Sequence, residues 1–499
     1  MKKFVKVISL IMALLMVAAV FAACGKKNED DKKEPVGSDV ATTQQGGDDA
    51  TTEVPDIEVI NWEGREYRIL GYDSTTYAWA QHFEVWRQEM PDDVMGKAVW
   101  ERNITLRDNY GIEVVGCLEN GATALAATTL EAGEDLYDLL LIAPEAFHPH
   151  ASKGYMIDLY NLEYINMSHD AWMPYPNKQL TMGGKLYYTT NKFLVQDKNR
   201  CWGSFYNRDM AKELNLGYFE DYVFDGTWTI DKVTELAKLA TYEKDGENGL
   251  GKFDNWGAAA SENYMFCQLA YGVGFRLTDH GADGYPVLVG PTDDMVARLD
   301  KVFALTANSD IYYCDTDYNT TVDWGDCADQ MFHRGEVLIS LTVLSELQTV
   351  GSKIEFEMGV LPNPKFDEKQ EAYYSIPNLG NGSLLGVPVT VPDSEFAGYA
   401  LEVISEQSVD STYTAFIETT CKLQKVQDDD AARCLELIYD GIAYDVAFVS
   451  NIGGLGSMIW NLGSLKSNSY TRLYDRASGN AILTIDRIKA DYQKLDNKH

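Results

Sequence analysis

Long apolar runs are almost missing from this sequence. Past residue 23 there is no stretch of about 20 apolar residues, and mean hydropathy is -0.26, which excludes a polytopic membrane protein. Basic residues are scarce as well. The 499 residues carry 42 Lys plus Arg against 76 Asp plus Glu, a net charge of -34, so polyanions are repelled and no nucleic-acid partner is expected. Cysteines are few and form no C-x-x-C pair, which removes zinc ribbons and dithiol redox motifs. Beyond Cys24 they are Cys117, Cys201, Cys267, Cys314, Cys327, Cys421 and Cys434. Buried thiols are the plainer reading, with a bridge between Cys421 and Cys434, across the acidic turn Asp428 to Asp430, as the one candidate. H-E-x-x-H and G-x-S-x-G do not occur. Gly246-Glu-Asn-Gly-Leu-Gly-Lys-Phe253 has the Gly and Lys spacing of a phosphate loop, but Phe253 stands where Ser or Thr must hold magnesium. His148 and His150 lie together in a turn without an obvious third ligand. No cofactor, metal or catalytic residue is expected.

What remains is globular. With 45% hydrophobic and 24% charged residues the chain has the composition of a soluble protein, and its length suggests roughly two to three domains. Lys2, Lys3 and Lys6 precede an apolar run from Val7 to Phe21, then Ala22, Ala23 and Cys24, the layout of a secretory signal. The small pair before a cysteine resembles the lipobox of bacterial lipoproteins, which implies a signal peptide over 1–23 and a lipidated Cys24; an uncleaved signal anchor is the alternative. Cleavage removes three lysines and no acid, so charge cannot hold the mature chain to an anionic membrane, whereas two acyl chains can. Residues 24–56 contain almost nothing apolar and read as a disordered tether.

The folded part is read from alternation. Tyr67 to Gly71, Ile112 to Val115 and Tyr137 to Pro144 are short apolar runs separated by helical spacing at Val94, Ala98, Val99 and Arg102. A second series holds Phe205 to Met210 and a helix from Asp231, with Val233, Leu236, Ala237 and Ala240 on one face and Thr229 as N-cap. Val337 to Val343, Phe356 to Leu361 and Gly386 to Pro392 read as further strands, the last followed by a helix with Phe396, Ala400 and Val403 on one side. Strands alternating with helices imply an α/β fold with parallel, helix-covered sheets, and ligands in such sheets bind outside the carboxyl ends of strands. The loops Tyr72 to Trp79 and Pro144 to His150 are the first places to look.

Tyr206-Asn-Arg-Asp-Met-Ala-Lys-Glu-Leu, Gly226-Thr-Trp-Thr, Met331-Phe-His-Arg-Gly-Glu-Val-Leu and Gly359-Val-Leu-Pro-Asn-Pro-Lys resemble, in order and spacing, extracellular solute-binding protein family 1 of ABC importers. Asp367-Glu-Lys-Gln-Glu-Ala-Tyr-Tyr-Ser resembles its carbohydrate-type members. The resemblance implies a two-lobe, hinged periplasmic-binding-protein-like fold of type II, each lobe a sheet flanked by helices. It implies lobe 1 over 57–192 plus 386–442 and lobe 2 over 193–385 plus 443–499, with crossings near 190–200, 375–388 and 440–450. It further implies capture of an oligosaccharide in the interlobe cleft and delivery to the transmembrane permease subunits of an ABC importer, at the extracellular face of the membrane. Asp245 to Asp254 sits where relatives carry a calcium-like loop, with Gly249 where a ligand would be expected.

A sugar site needs aromatic platforms and directed carboxylates and amides, and the chain has 10 Trp and 30 Tyr. By position the candidates are Asp73 and Trp79 after the first strand, Glu145 after the third, and Trp202 beside the first crossing. Trp256 follows a Gly- and Asp-rich loop, and Tyr374 and Asn378 lie near the second crossing. Trp460 resembles in place the C-terminal aromatic on which related sugar binders stack a ring. Trp324 and Arg200 are reserves. Each also has a plain reading as packing or solvation. Three alternatives stay open: a peptide or other organic solute in the same fold, a surface glycan-degrading enzyme using a carboxylate pair, and a lipid-anchored adhesin.

Overall fold

The computed structural model describes residues 57–496 apart from 74–80, 245, 247, 248, 320, 381 and 424–428. Cys24, Trp79 and the tether therefore lie outside the described residues. In chain order the strands are β1 (Arg65–Gly71), β2 (Ile112–Leu118), β3 (Leu139–Ile142), β4 (Trp202–Asn207), β5 (Trp256–Ala260) and β6 (Thr278–His280). There follow β7 (Pro286–Leu288), β8 (Tyr312–Cys314), β9 (Val337–Val343), β10 (Met358–Leu361) and β11 (Leu384–Gly386). Among the described residues, no helix is long and apolar enough to cross a membrane.

The first sheet has the order β11-β3-β1-β2, with β1 parallel to β2 and β3, and β11 antiparallel at the edge. Its parallel strands need crossover helices, and Val94–Tyr110 and Ala122–Ala132 supply them. Val94–Tyr110 starts where Asp93 accepts the Gly96 N–H and ends at Gly111, φ 63°, where an added Cβ would meet the Trp62 and Glu63 backbone at under 3 Å. β11 is shorter than the apolar run Gly386 to Pro392 suggests. It meets the expected strand only at Gly386; beyond it Pro388, which has no N–H to give a ladder, forms a single antiparallel bridge with Met156, and the chain then turns.

The second sheet has the order β10-β4-β9-β5-β8, with β5 parallel to β8 and β9, and β4 antiparallel to β9 and β10. β9 is buried at every position, including Ser340 and Thr342 within its run of Val, Leu and Ile. The helix Ile230–Ala240 begins at Thr229, whose hydroxyl accepts the Lys232 N–H, and it lies directly on β5. The approach is so close that a Cβ on Gly257 would stand 2.0 Å from the Ala237 carbonyl oxygen. The sequence Trp-Gly-Ala-Ala-Ala is small because there is no room for more. A two-stranded hairpin, β6 with β7, completes the strands.

Three stretches of chain run side by side between the sheets. Trp202 donates its N–H to the Ile376 carbonyl, Asn378 to that of Arg200, Ser375 to that of Gly441, and Ala443 to that of Ser375. The second and third stretches touch backbone to backbone, since a Cβ on Gly441 would lie 2.1 Å from the Tyr373 carbonyl oxygen. Asp197 and Lys198, both fully buried, form an ion pair at the first stretch. The helix Ser394–Ser408 packs on Val94–Tyr110 beside the first sheet, whereas Asp429–Asp440 packs on β10 and on the helix Phe219–Phe224 of the second. The stretch 386–442 is thus shared between the sheets and does not sit with the first alone.

No disulfide joins the described cysteines, and the Cys421–Cys434 bridge is not formed. Cys434 lies on the buried face of its helix, and burial pushes its thiol above the ordinary range.

A buried carboxyl on Ser394–Ser408 gives the fold a pH dependence. Glu402 is fully buried; its Oε2 accepts the Trp172 Nε1–H at 2.9 Å and the Asn166 N–H at 3.2 Å, while Oε1 has no partner. Burial raises this carboxyl from 4.5 to about 8. Between those values the unfolded chain has lost the proton that the folded chain retains, so stability falls as pH rises from about 4.5 through about 8. Glu402→Gln is expected to flatten that slope, by on the order of a few kcal/mol across the range, in melting curves recorded against pH. Equal slopes in the two proteins would contradict it.

Candidate functional site

Parallel strands end together, and the site is built on that property. The chain leaves β1 at Tyr72 and Asp73, β2 at Glu119, and β3 at Pro144 and Glu145. In the second sheet β5 leads to Ser261, Glu262 and Tyr264, β9 to Leu344, Ser345 and Glu346, and β8 to Asp315. Pro144 to His150 is not the loop expected. Proline at the first helical position starts a helix, Pro144–Ser152, and places Glu145 in its first turn.

Glu145 opens on a pocket of about 260 Å³ that it shares with Leu379 and Gly380, with Phe448 and Asn451, and with Ser457, Trp460 and Asn461 of the helix Leu455–Leu462. The pocket therefore joins the end of the first sheet to the C-terminal helical segment. Trp460 is half-buried, with one face stacked on Tyr264 at 4.4 Å and 16°, and Phe448 lies 6.1 Å away at 30°. Trp202 stands behind them, 6.0 Å from Trp460 and 6.3 Å from Tyr264. Tyr264 is held by a hydrogen bond to Glu262.

Polar groups beside the aromatic cluster are locked to one another. Arg200 donates from Nη1 to the Ser345 hydroxyl at 2.6 Å; burial lowers its pKa, and the Glu346 charge acts in the opposite direction. Ser261 donates to Asp329 at 3.1 Å. Burial, with the Glu346 charge adding to it, pushes the Asp329 carboxyl up to about 7. Glu145 is exposed at the pocket, yet the surrounding protein still raises its carboxyl above the usual range.

Other cavities compete for attention. A groove of about 410 Å³ beside Asn199 is lined by Gln81 and Phe83 from the first half and by Leu344 and Gln348 after β9. Two larger cavities, about 540 and 560 Å³, lie around Lys365 with Arg433 and around Asp231 with Lys232. Neither of these two draws on the ends of the first sheet's strands. The pocket at Trp460 does, and it also holds an aromatic face and directed amides, the combination a polar ring needs.

The sequence candidates fall unevenly. Glu145 and Trp460 share the pocket. Asn378 supports it from below: buried, it accepts the Gly380 N–H on Oδ1 at 3.1 Å and so shapes the turn that carries Leu379 and Gly380. Trp202 is fully buried and acts through Tyr264 and Trp460. Asp73 is half-buried beyond β1, its N–H pointing to the Glu119 carbonyl. Trp256 is not at the pocket. It lies in β5, buried, with its indole N–H donated to the Gly251 carbonyl at 2.8 Å and its ring edge-on to Tyr313. Tyr374 stacks on Tyr175 at 6.1 Å, away from the pocket's lining. Of the reserves, Arg200 is buried and Trp324 is 59% exposed. In the calcium-like stretch, Asp254 accepts the Lys244 and Gly251 N–H groups, so its oxygens serve the backbone. Tyr264, Phe448, Asn451, Ser457 and Asn461 escaped the sequence reading. Nothing local distinguishes them; only the stacking partner of Trp460 identifies Tyr264.

One group among the described residues has metal-ligand spacing. Ligand atoms of His169, Glu402 and Glu406 lie within 4.8 Å of one another. The His169 Nδ1 accepts the Ala171 N–H at 3.1 Å, so in the neutral ring Nε2 carries the hydrogen, facing Glu406 at 4.0 Å. A ring in that tautomer has no lone pair for a metal on Nε2.

Comparison with solved structures fixes the architecture. UspC of M. tuberculosis superposes with a TM-score of 0.50 at 13% identity, over 84% of this chain and all of its own, 100%. The architecture is the two-lobe fold of periplasmic binding proteins. Two more structures are similar at 15% identity: the ABC substrate-binding protein Lmo0181 of Listeria monocytogenes in complex with cycloalternan, and the GacH receptor of Streptomyces glaucescens, solved unliganded and with acarbose. The first covers 87% of this chain and 98% of its own at a TM-score of 0.47, the second 86% and 99% at 0.48. No protein-family model and no curated protein matches the sequence.

Proposed function

We propose that this protein is a solute-binding protein that captures an oligosaccharide between its two lobes and hands it to the permease of an ABC importer, without catalysing a reaction. In this reading Cys24 carries the lipid that holds it at the extracellular face of a bacterial membrane, and residues 25–56 are the tether. The observation that carries the proposal is the pocket that Glu145, at the end of a first-sheet strand, lines together with Trp460, whose ring is held by stacking on Tyr264. A sugar ring laid on Trp460 has a rigid platform. The amides of Asn451 and Asn461 and the Ser457 hydroxyl offer donors and acceptors to its rim. Closure of the lobes on such a ligand follows from contacts made from both sides.

The glycan-degrading alternative fits less well. Hydrolysis needs two carboxyl groups about 5 to 9.5 Å apart across the bond. Among the described residues, Glu145 is the single carboxylate lining this pocket.

Trp460→Ala is expected to weaken binding of the cognate sugar by about 1–3 kcal/mol in calorimetric titration. Unchanged affinity in a variant of unchanged stability would reject Trp460 as the platform.

A further inference from the structure

The charge of the pocket is one-sided. Of the residues that line it, Glu145 alone is ionisable in the neutral range, and the rest are aromatic, aliphatic, amide or hydroxyl. Among the described residues, no lysine or arginine lines the cavity to balance that carboxylate. The surrounding protein disfavours its charge even though the side chain reaches solvent, and a backbone hydrogen bond is what opposes that shift. The nearby cation at the crossing, Arg200, is buried and held by Ser345, with Glu346 supplying its opposing charge. Glu262 and Asp329 are acidic groups near Tyr264, the ring on which Trp460 stacks, and neither lines the cavity. A carboxylate can accept the hydroxyls of a neutral sugar, so the feature that points further is the lack of a basic residue beside it.

An aromatic face beside an unbalanced carboxylate is the chemistry of ammonium recognition. The ring quadrupole attracts a cation laid over its face, and the carboxylate attracts it at the edge; both gain strength where water is partly excluded. Resting on the sugar-binding reading above, we infer that the unit seated at Trp460 carries a protonated amine, so that the preferred solute is an amino sugar with its ammonium group directed to Glu145. The apolar ring face then stacks on Trp460, and the amides of Asn451 and Asn461 meet its hydroxyls.

The test is a matched titration of the full protein with glucosamine oligosaccharides, their N-acetylated counterparts and neutral glucan oligosaccharides of equal length, at mildly acidic pH. Putrescine serves as an amine without a sugar, and Glu145→Gln is titrated in parallel. The expected result is binding of the glucosamine series at least tenfold tighter than the N-acetylated series, with the gap closed in Glu145→Gln and weakened by salt. Neutral sugars bound as tightly as amino sugars, with Glu145→Gln unchanged, would overturn this inference and leave the sugar-binding reading intact. Putrescine bound as tightly as the amino sugars would keep the ammonium site and overturn the sugar. Binding of neither sugars nor amines overturns both.

Discussion

Asp197→Ala is expected to lower the stability of the protein by about 3–5 kcal/mol, the cost of stranding one partner of a buried ion pair. Asp197 and Lys198 are both fully buried at the first of the three connecting stretches. Asp197 accepts the Thr190 hydroxyl at 2.5 Å and the Tyr444 hydroxyl at 3.2 Å, so it ties the first stretch to the region just past the third. Lys198 donates to the Asn191 and Leu194 carbonyls at 2.6 and 3.1 Å. Those carbonyls orient the ammonium but carry no full charge. With the carboxylate gone, the fully buried ammonium has no counter-charge. Urea unfolding measures the loss, and Asp197→Ala combined with Lys198→Met should recover much of it, because the buried charge is then absent. A single variant within about 0.5 kcal/mol of wild type would show that the pair does not bind the stretches together.

The second large effect is expected at Glu220. Its carboxylate receives the Tyr206 hydroxyl and the Arg208 guanidinium, all three groups being buried in the second sheet's lobe. The backbone makes room for them: a Cβ on Gly359 of β10 would lie 2.2 Å from the Tyr206 ring and 2.6 Å from the Glu220 carboxylate. Glu220→Ala leaves a buried guanidinium and a buried phenol without their acceptor, again about 3–5 kcal/mol. Arg208→Met in the same chain should restore part of the loss. If the single and double variants unfold alike, the arginine is not what the carboxylate neutralises.

Tyr206 and Arg208 belong to the segment Tyr206-Asn-Arg-Asp-Met that carries the sequence resemblance, and the structure gives that segment a physical reason. It is the end of β4 followed by an N-cap, Asn207, which accepts the Met210 N–H. Features of this kind were legible in the sequence because each rests on a local rule. The Thr229 cap, the apolar face of Ile230–Ala240 and the seven apolar or small residues of β9 needed only periodicity.

What escaped depends on distant partners. β5 has no strand signal of its own because Gly257 answers to a helix lying on it, not to a strand's own preference. Trp256 reads as a binding candidate by its place after a Gly- and Asp-rich loop, and the Gly251 carbonyl holds its indole inside the second sheet instead. The site was half legible for the same reason. Glu145 and Trp460 follow from their places after a strand and near the C-terminus, but Tyr264 becomes a site residue only through a stack formed by chain almost 200 residues away. Phe448 and the asparagines are placed by the third connecting stretch, which no short pattern marks.

The most direct test of the central claim is the melting temperature of the protein against a panel of oligosaccharides and short peptides. A ligand at 100 times its Kd adds about 2.7 kcal/mol to the folded state, enough to raise the melting temperature by a few degrees. The account predicts a rise with one sugar series, lost in Trp460→Ala, with the sugar recovered intact afterwards. A rise with peptides alone would keep the fold and contradict the ligand. No rise with any sugar, or slow cleavage of the sugar that binds, would contradict the account itself.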